Sequence, residues 1–299
     1  ADVPEARGRL LENAVLGDVT WFRVGGPADL LFAPADEDDL SAFLRDLDPA
    51  IPVFAMGVGS NLLVRDGGVR GVVIRLGARF NKIDIDGVTV SAGAAALDAQ
   101  VAKRAAAAGV AGLEFYRGVP GTVGGALRMN AGAYGAETKD ICVEARAVDR
   151  NGDRVALSNE EMKFSYRRSG AAAGLIFTRA VFKGRRDDPA AIEARMADIM
   201  KRREESQPIR ERTGGSTFAN PDPEQSGGLK SWQLIDRIGG RGRVVGDAQV
   251  SEQHCNFLIN RGAAAARDLE TLGESLRDDV RRETGVDLRW EIKRIGEPG

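Results

Sequence analysis

The chain has 299 residues, 43% hydrophobic and 29% charged, a globular composition long enough for two or three domains and unlike that of disordered or fibrous chains. Its 42 Lys and Arg against 44 Asp and Glu leave no overall field to draw nucleic acid or an anionic membrane, so any anion site must be local. Cys142 and Cys255 have no neighbours at metal or redox spacing, ADVPEARGRL lacks the basic and apolar regions of a secretion signal, and no apolar run could span a bilayer; a cytosolic protein without membrane or nucleic-acid partners is expected.

Taken in chain order, 29–33 (DLLFA), 51–55 (IPVFA) and 72–76 (VVIRL) read as strands, and DEDDLSAFLRDL at 36–47 as a helix whose acids suit its N-terminus. This describes a small α/β unit ending near residue 78. KIDIDGVTVSAG turns on Asp-Gly between alternating runs and predicts a hairpin, followed by an Ala-rich helix at 97–109 stopped by glycine. EARAVDRNGDRVAL at 144–157 predicts a second hairpin turning on Asn151-Gly152, and 175–182 another strand. From Pro189 to about Ser206 the pattern is helical, with an apolar stripe through Ile192, Met196 and Ile199 or Met200. Gln207-Pro208 breaks it, and thirty residues rich in Gly, Pro, Ser and Thr follow. The last segment reads as a helix near 229–237, strands at 243–250 and 256–260, a helix at about 264–283 and a final strand at 287–295. Boundaries at 78 and 206 give domains 1–78, 79–206 and 207–299, the final strand packing back toward the chain before residue 207.

Glycine numbers 37 and clusters. GVGSN at 57–61 follows a strand, and GVPGTVGGALRMNAGAYG at 118–135 is longer, with Pro120 stiffening it and Gly121, Gly124 and Gly125 leaving room for a flat ligand or a pyrophosphate. Glycine permits the positive φ and close backbone approach that phosphate-binding amides require. Neither cluster is a dinucleotide-binding G-x-G-x-x-G or a P-loop. GVGSN alone reads sooner as a tight turn in a β-rich domain than as a ligand loop, whereas the pair points to a ligand.

The order WFRVGGPADL (21–30), GVGSNLLV (57–64), GVPGTVGGALRMNAGAYG (118–135), FSYRRS (164–169), GGSTFANP (214–221), GDAQVSEQHCNFLIN (246–260) and WEIKRIG (290–296) closely resembles the UDP-N-acetylenolpyruvoylglucosamine reductase family over nearly the whole chain. The resemblance implies an α+β protein with the FAD-binding fold of the vanillyl-alcohol-oxidase (PCMH-type) class in two subdomains, followed by a C-terminal α/β domain for the nucleotide-sugar. It further implies non-covalent FAD, NADPH as hydride donor, and UDP-N-acetylglucosamine enolpyruvate as the substrate reduced to UDP-N-acetylmuramate for peptidoglycan; a monomer is expected.

By the same resemblance Gly57, Gly59, Ser60 and Asn61 meet the FAD diphosphate, and Gly118, Pro120, Gly121, Thr122 and Gly124 lie along the cofactor. Arg167 matches the arginine that steadies charge developing toward the substrate carboxylate, Ser216 the proton donor, and Glu291 the carboxyl group supporting the enolate, as a protonated donor. Asn220, Lys230, Arg241 and Asn256 are the nucleotide-sugar candidates. From the residues alone, Arg167 also reads as a solvated charge, Ser216 as a turn residue, Glu291 as the outward position of a strand, and Lys230 and Arg241 as surface charges. No metal site is expected, because the sole histidine, His254, has no ligand partner at spacing. Two departures stand out: Ala219 occupies a position where the family commonly has lysine, and the chain is of the shorter subtype without the tyrosine-loop insertion. A flavin oxidase of the same fold and a non-catalytic nucleotide-sugar-binding protein are the alternatives.

Overall fold

The computed structural model describes residues 3–299, so the first two residues of ADVPEARGRL lie outside it. The chain divides into two units, each assembled from separated segments.

The first unit comprises the chain up to Glu12, Leu30–Gly57 and Gly71–Arg202. A four-stranded sheet in the order Arg9–Val15, Pro27–Ala33, Val69–Arg75, Val53–Met56 starts in it, the last two strands parallel. Its helix Glu37–Asp46 begins where the acids were expected: Asp36 caps the amide of Asp39 at 2.9 Å. The Asp39 carboxylate in turn accepts from the amides of Arg7, Gly8 and Ala35. Leu40, Phe43 and Leu44 share one buried face at helical spacing, and the Phe43 ring lies 4.1 Å from that of Phe32.

A five-stranded antiparallel sheet follows in the order Arg154–Ser158, Cys142–Val148, Ile176–Lys183, Thr89–Gly93, Ile83–Asp86. Both predicted hairpins are present. The first turns on Gly87-Val88, one residue beyond the expected Asp-Gly centre because Asp86 still pairs with Thr89, while the second uses the five residues between Val148 and Arg154. Gly152 in that loop has φ +82° and a Cβ there would stand 2.3 Å from the Ser41 carbonyl, so no other residue fits. The helix Asp98–Ala107 packs through Val101, Ala102, Ala105 and Ala106, whose small size brings its backbone close to the sheet. Ile192 and Met196 of the helix Pro189–Ser206 close the same core.

The second unit comprises Asn13–Asp29, Val58–Arg70 and Arg203–Gly299. Its antiparallel sheet runs Arg212–Ser216, Phe257–Asn260, Ala248–Val250, Val244–Val245. The helix Ala266–Thr284 buries Leu269, Leu272, Leu276 and Val280, and the shorter helix Ser231–Arg237 contributes Leu234 and Ile235.

Three expectations need correction. The boundary at 78 does not separate compact units, and residues 13–29 and 58–70 cluster with the C-terminal segment, where Lys293–Ile295 pairs in parallel with Leu62–Val64; the division after Arg202 falls close to the boundary expected at 206. The glycine-rich stretch 118–135 is not all loop, since Val123–Met129 is a helix burying Val123, Ala126 and Leu127, an i, i+3, i+4 pattern that the glycines disguise. The final strand is shorter than 287–295, because before Lys293 the chain makes a single bridge from Trp290 to Phe218.

Asp98, the first residue of its helix, is 1% exposed, its Oδ1 has no hydrogen-bond partner, and burial holds its carboxyl well above the usual carboxylate range. The folded chain therefore keeps this proton to higher pH than the unfolded chain, so stability is lost as pH rises from the unfolded value of 3.8 through the raised one. Asp98→Asn should melt like the parent below that value and at a higher temperature than the parent at pH 7. Identical melting curves for the two proteins at pH 7 would refute the assignment.

Candidate functional site

In the first unit Gly57 meets the second glycine cluster. A Cβ at Gly57 would lie 2.8 Å from the Thr122 Oγ1, so the residue after the Val53–Met56 strand abuts the second cluster directly. Gly118 is buried, and a Cβ there would stand 2.5 Å from the Tyr134 ring and 2.9 Å from Ile199. Gly121 has φ +137° and its carbonyl accepts from the Asp98 amide at 3.0 Å, while Thr122 bridges to Leu97. The amides of Val123 and Gly124 donate to the carbonyls of Ala96 and Ala94. Those two amides are therefore already committed to backbone carbonyls and do not face a phosphate as donors. Pro120 is half-buried between them and Gly118.

Arg167 sits at a sharp corner. Ser165 and Arg168 exchange both backbone hydrogen bonds at 3.0 Å, closing a two-residue turn over Tyr166 and Arg167, with Arg167 at φ +55°. A non-glycine residue held in the left-handed region carries strain, which surrounding structure must hold in place. The guanidinium stacks 4.9 Å from the Tyr166 ring and donates to the Gly132 carbonyl at 3.0 Å. Arg168 beside it is exposed.

In the second unit, Ser216, Glu291 and Asn61 are drawn together by backbone. The Thr217 carbonyl accepts from the Glu291 amide at 2.8 Å, and the Asn61 side chain donates to the Glu291 carbonyl at 3.1 Å. Thr217, following Ser216, is fully buried with its Oγ1 unpartnered. The two glycines before Ser216 have distinct reasons. A Cβ at Gly214 would sit 2.3 Å from the Phe22 ring, while Gly215 takes φ +79° where the register shifts between Thr213 and Ser216. Such a bulge re-aims the side chain that follows it, here the half-buried Ser216 opposite Phe257. Gly59, at φ +70°, accepts from the Trp21 amide, and Ser60 is buried.

The nucleotide-sugar candidates separate. Asn220 is exposed, and its Oδ1 accepts from the Ser231 amide at 3.1 Å, which orients the amide group. Lys230 is exposed at the start of the Ser231–Arg237 helix. Arg241 is held by Asp236 at 2.9 Å, a hydrogen bond that raises its pKa, and by the Glu252 carbonyl at 2.6 Å. Asn256 is 5% exposed, and both ends of its amide bind the Phe218 backbone, at 3.1 and 2.9 Å. Its side chain is thus committed to shaping the Ser216 segment, contrary to the expectation that it reads the substrate. Ala219 is buried, with its amide bonded to the Arg289 carbonyl. His254 Nδ1 accepts from the Asn256 amide, and its ring packs 4.8 Å from Phe257. Sequence reasoning passed over Thr217 and Asn130, both wholly buried; their only signal was a polar residue beside small ones.

Residues 28–158 match the FAD binding domain family, and residues 207–295 match the family described as UDP-N-acetylenolpyruvoylglucosamine reductase, C-terminal domain. The UDP-N-acetylenolpyruvoylglucosamine reductase of Nitrobacter hamburgensis is 61% identical over 297 residues, covering 99% of this chain and 96% of that protein. The protein of the same name from Phenylobacterium zucineum is 61% identical, covering 99% and 98%. The crystal structure of UDP-N-acetylenolpyruvylglucosamine reductase from Thermus caldophilus superposes with a TM-score of 0.83 at 34% identity, covering 97% of this chain and 99% of that one. The chain has the FAD-binding fold expected from its motifs, and it belongs to the UDP-N-acetylenolpyruvoylglucosamine reductase family.

Proposed function

We propose that this chain binds FAD without a covalent bond and uses NADPH to reduce the enolpyruvyl group of UDP-N-acetylglucosamine enolpyruvate, forming UDP-N-acetylmuramate for peptidoglycan in the cytoplasm, as a monomer. The observation that carries the reading is the backbone hydrogen bond from the Glu291 amide to the Thr217 carbonyl, which brings the segment bearing Glu291 beside the edge strand bearing Ser216 from far apart in the chain. Among the described residues no helix is long and apolar enough to cross a membrane.

The residues present fit the cofactor. Without side chains, Gly57 packs directly against Thr122, and Gly118 against Tyr134 and Ile199, and Gly59, Ser60 and Asn61 come shortly after Gly57 in sequence. Those residues, with Pro120, Gly121, Thr122 and Gly124, would hold FAD. When bound, FAD relays hydride from NADPH to the substrate double bond. Arg167 supplies a charge that it cannot lose and a planar fork of donors for the carboxylate on which negative charge accumulates. Its stacking on Tyr166 and its bond to Gly132 restrict where that fork points. Ser216 gives its hydroxyl proton to the neighbouring carbon, completing saturation of the double bond. Glu291, in its protonated form, donates a hydrogen bond to the developing enolate, where a carboxylate would repel it. Asn220 and Lys230, both exposed near the start of the Ser231–Arg237 helix, provide an amide and a cation for the nucleotide-sugar.

In Ser216→Ala, NADPH should still bleach the bound flavin at close to the parent rate, but reoxidation by UDP-N-acetylglucosamine enolpyruvate should slow by roughly a hundred- to a thousandfold; stopped-flow absorbance reads both steps, and unaltered reoxidation would take Ser216 out of the role. The attachment of the cofactor gives a second check. Cys142 and Cys255 are buried, and burial pushes the Cys142 thiol up to about 12, leaving it a poor nucleophile. Acid or heat denaturation is therefore expected to release all of the yellow colour into the supernatant, and colour that stays with the precipitate would favour a covalently flavinylated oxidase.

A further inference from the structure

We infer that Asn130 is a positioning residue for Arg167, tying the turn that carries the guanidinium to the end of the Val123–Met129 helix. The inference rests on the role proposed above for Arg167. Asn130 is completely buried, follows the last residue of that helix, and has φ +47°. Asparagine is a common left-handed helix stop, and glycine would serve there at least as well. What glycine could not supply is the amide. Its Nδ2 donates to the Ser165 carbonyl and to Glu137 Oε2, each at 2.9 Å, and its Oδ1 accepts from the Lys139 amide at 2.9 Å. Two donors and an acceptor thus meet three partners in an interior where an unmade bond is costly.

One of those partners is the first residue of the Tyr166-Arg167 turn. The link is returned two residues beyond the asparagine, where Arg167 donates to the Gly132 carbonyl. The same helix grips the segment again downstream: Arg128 donates to the carbonyls of Ala171, Ala172 and Leu175 and stacks 4.7 Å from Phe177. Left-handed backbone also concentrates here, with Tyr134 at φ +54° and Lys163 at φ +46° beside Asn130 and Arg167. A turn held in a sparsely populated conformation needs an external tether, or its strain is relieved by movement. The Asn130 amide provides that tether from inside the core.

Asn130→Gly keeps the left-handed backbone and removes the amide; Asn130→Asp keeps the volume but replaces the donors with a carboxylate facing Glu137 and a carbonyl. Amide hydrogen exchange in the FAD-loaded protein is expected to speed up at least about tenfold at Ser165 and Arg168 in both variants, while the amides of the five-stranded sheet stay protected. Flavin reduction by NADPH should stay within about threefold of the parent, reoxidation by the enolpyruvyl substrate should slow about tenfold or more, and adding Asn130→Gly to Arg167→Ala should slow it no further. Unchanged exchange at 165–168, additive effects in the double variant, or exchange rising across the whole unit with loss of bound FAD would each overturn the inference. Faster exchange at 165–168 together with normal reoxidation in Arg167→Ala would leave the tether standing and remove Arg167 from the reaction.

Discussion

The amide of Glu291 donates to the carbonyl of Thr217, and the Asn61 side chain donates to the carbonyl of Glu291. These two hydrogen bonds gather three stretches of chain, around residues 61, 217 and 291, into one place in the second unit. The parallel pairing of Lys293–Ile295 with Leu62–Val64 extends the contact, and the bridge between Phe218 and Trp290 braces its other end. The first, a backbone bond, fixes the chain without consuming a side chain, while the second occupies one donor of the Asn61 amide. Asn256 follows the same logic, satisfying the Phe218 amide and carbonyl so that the Ser216 segment can leave regular pairing at its bulge.

The first unit solves a different problem. There glycines allow close packing, Gly57 against Thr122 Oγ1 and Gly118 against Tyr134 and Ile199. Around these contacts the polypeptide is locked by polar groups, among them the fully buried Asn130 and the Arg128 guanidinium bonded to three carbonyls. Rigid support of this kind is what a site needs to hold a charged side chain at a fixed position. Left-handed residues at 130, 134, 163 and 167 show where this support holds the backbone away from its preferred conformations.

Much of the architecture was legible because burial imposes a period on the chain. The 189–206 helix was bounded from its Pro189 start and its Ile192, Met196, Ile199 stripe, and the 83–93 hairpin from Asp86-Gly87 flanked by alternating residues. The Val123–Met129 helix escaped notice because Gly124 and Gly125 mask a buried face of only three residues, and Gly124 is tolerated there since its Cα approaches Ala94 closely. The strand Arg9–Val15 was missed for a similar reason: its exposure pattern has no regular alternation. At the site, Ser216, Glu291 and Arg167 could be named from ordered motifs, while Asn256 could not be told from a ligand-binding amide, because its partners lie thirty-eight residues away.

The sequence by itself determined the local elements, the family, and the residue types on which the chemistry draws, since each of these is written in neighbouring residues or in the order of motifs. Tertiary structure alone decided which segments form a unit and what each polar side chain faces. Residues 13–29 and 58–70 join the C-terminal segment through long-range pairing that no local period encodes. Whether an asparagine meets a ligand, as an exposed Asn220 can, or a buried backbone, as Asn130 and Asn256 do, depends on partners that the fold brings together.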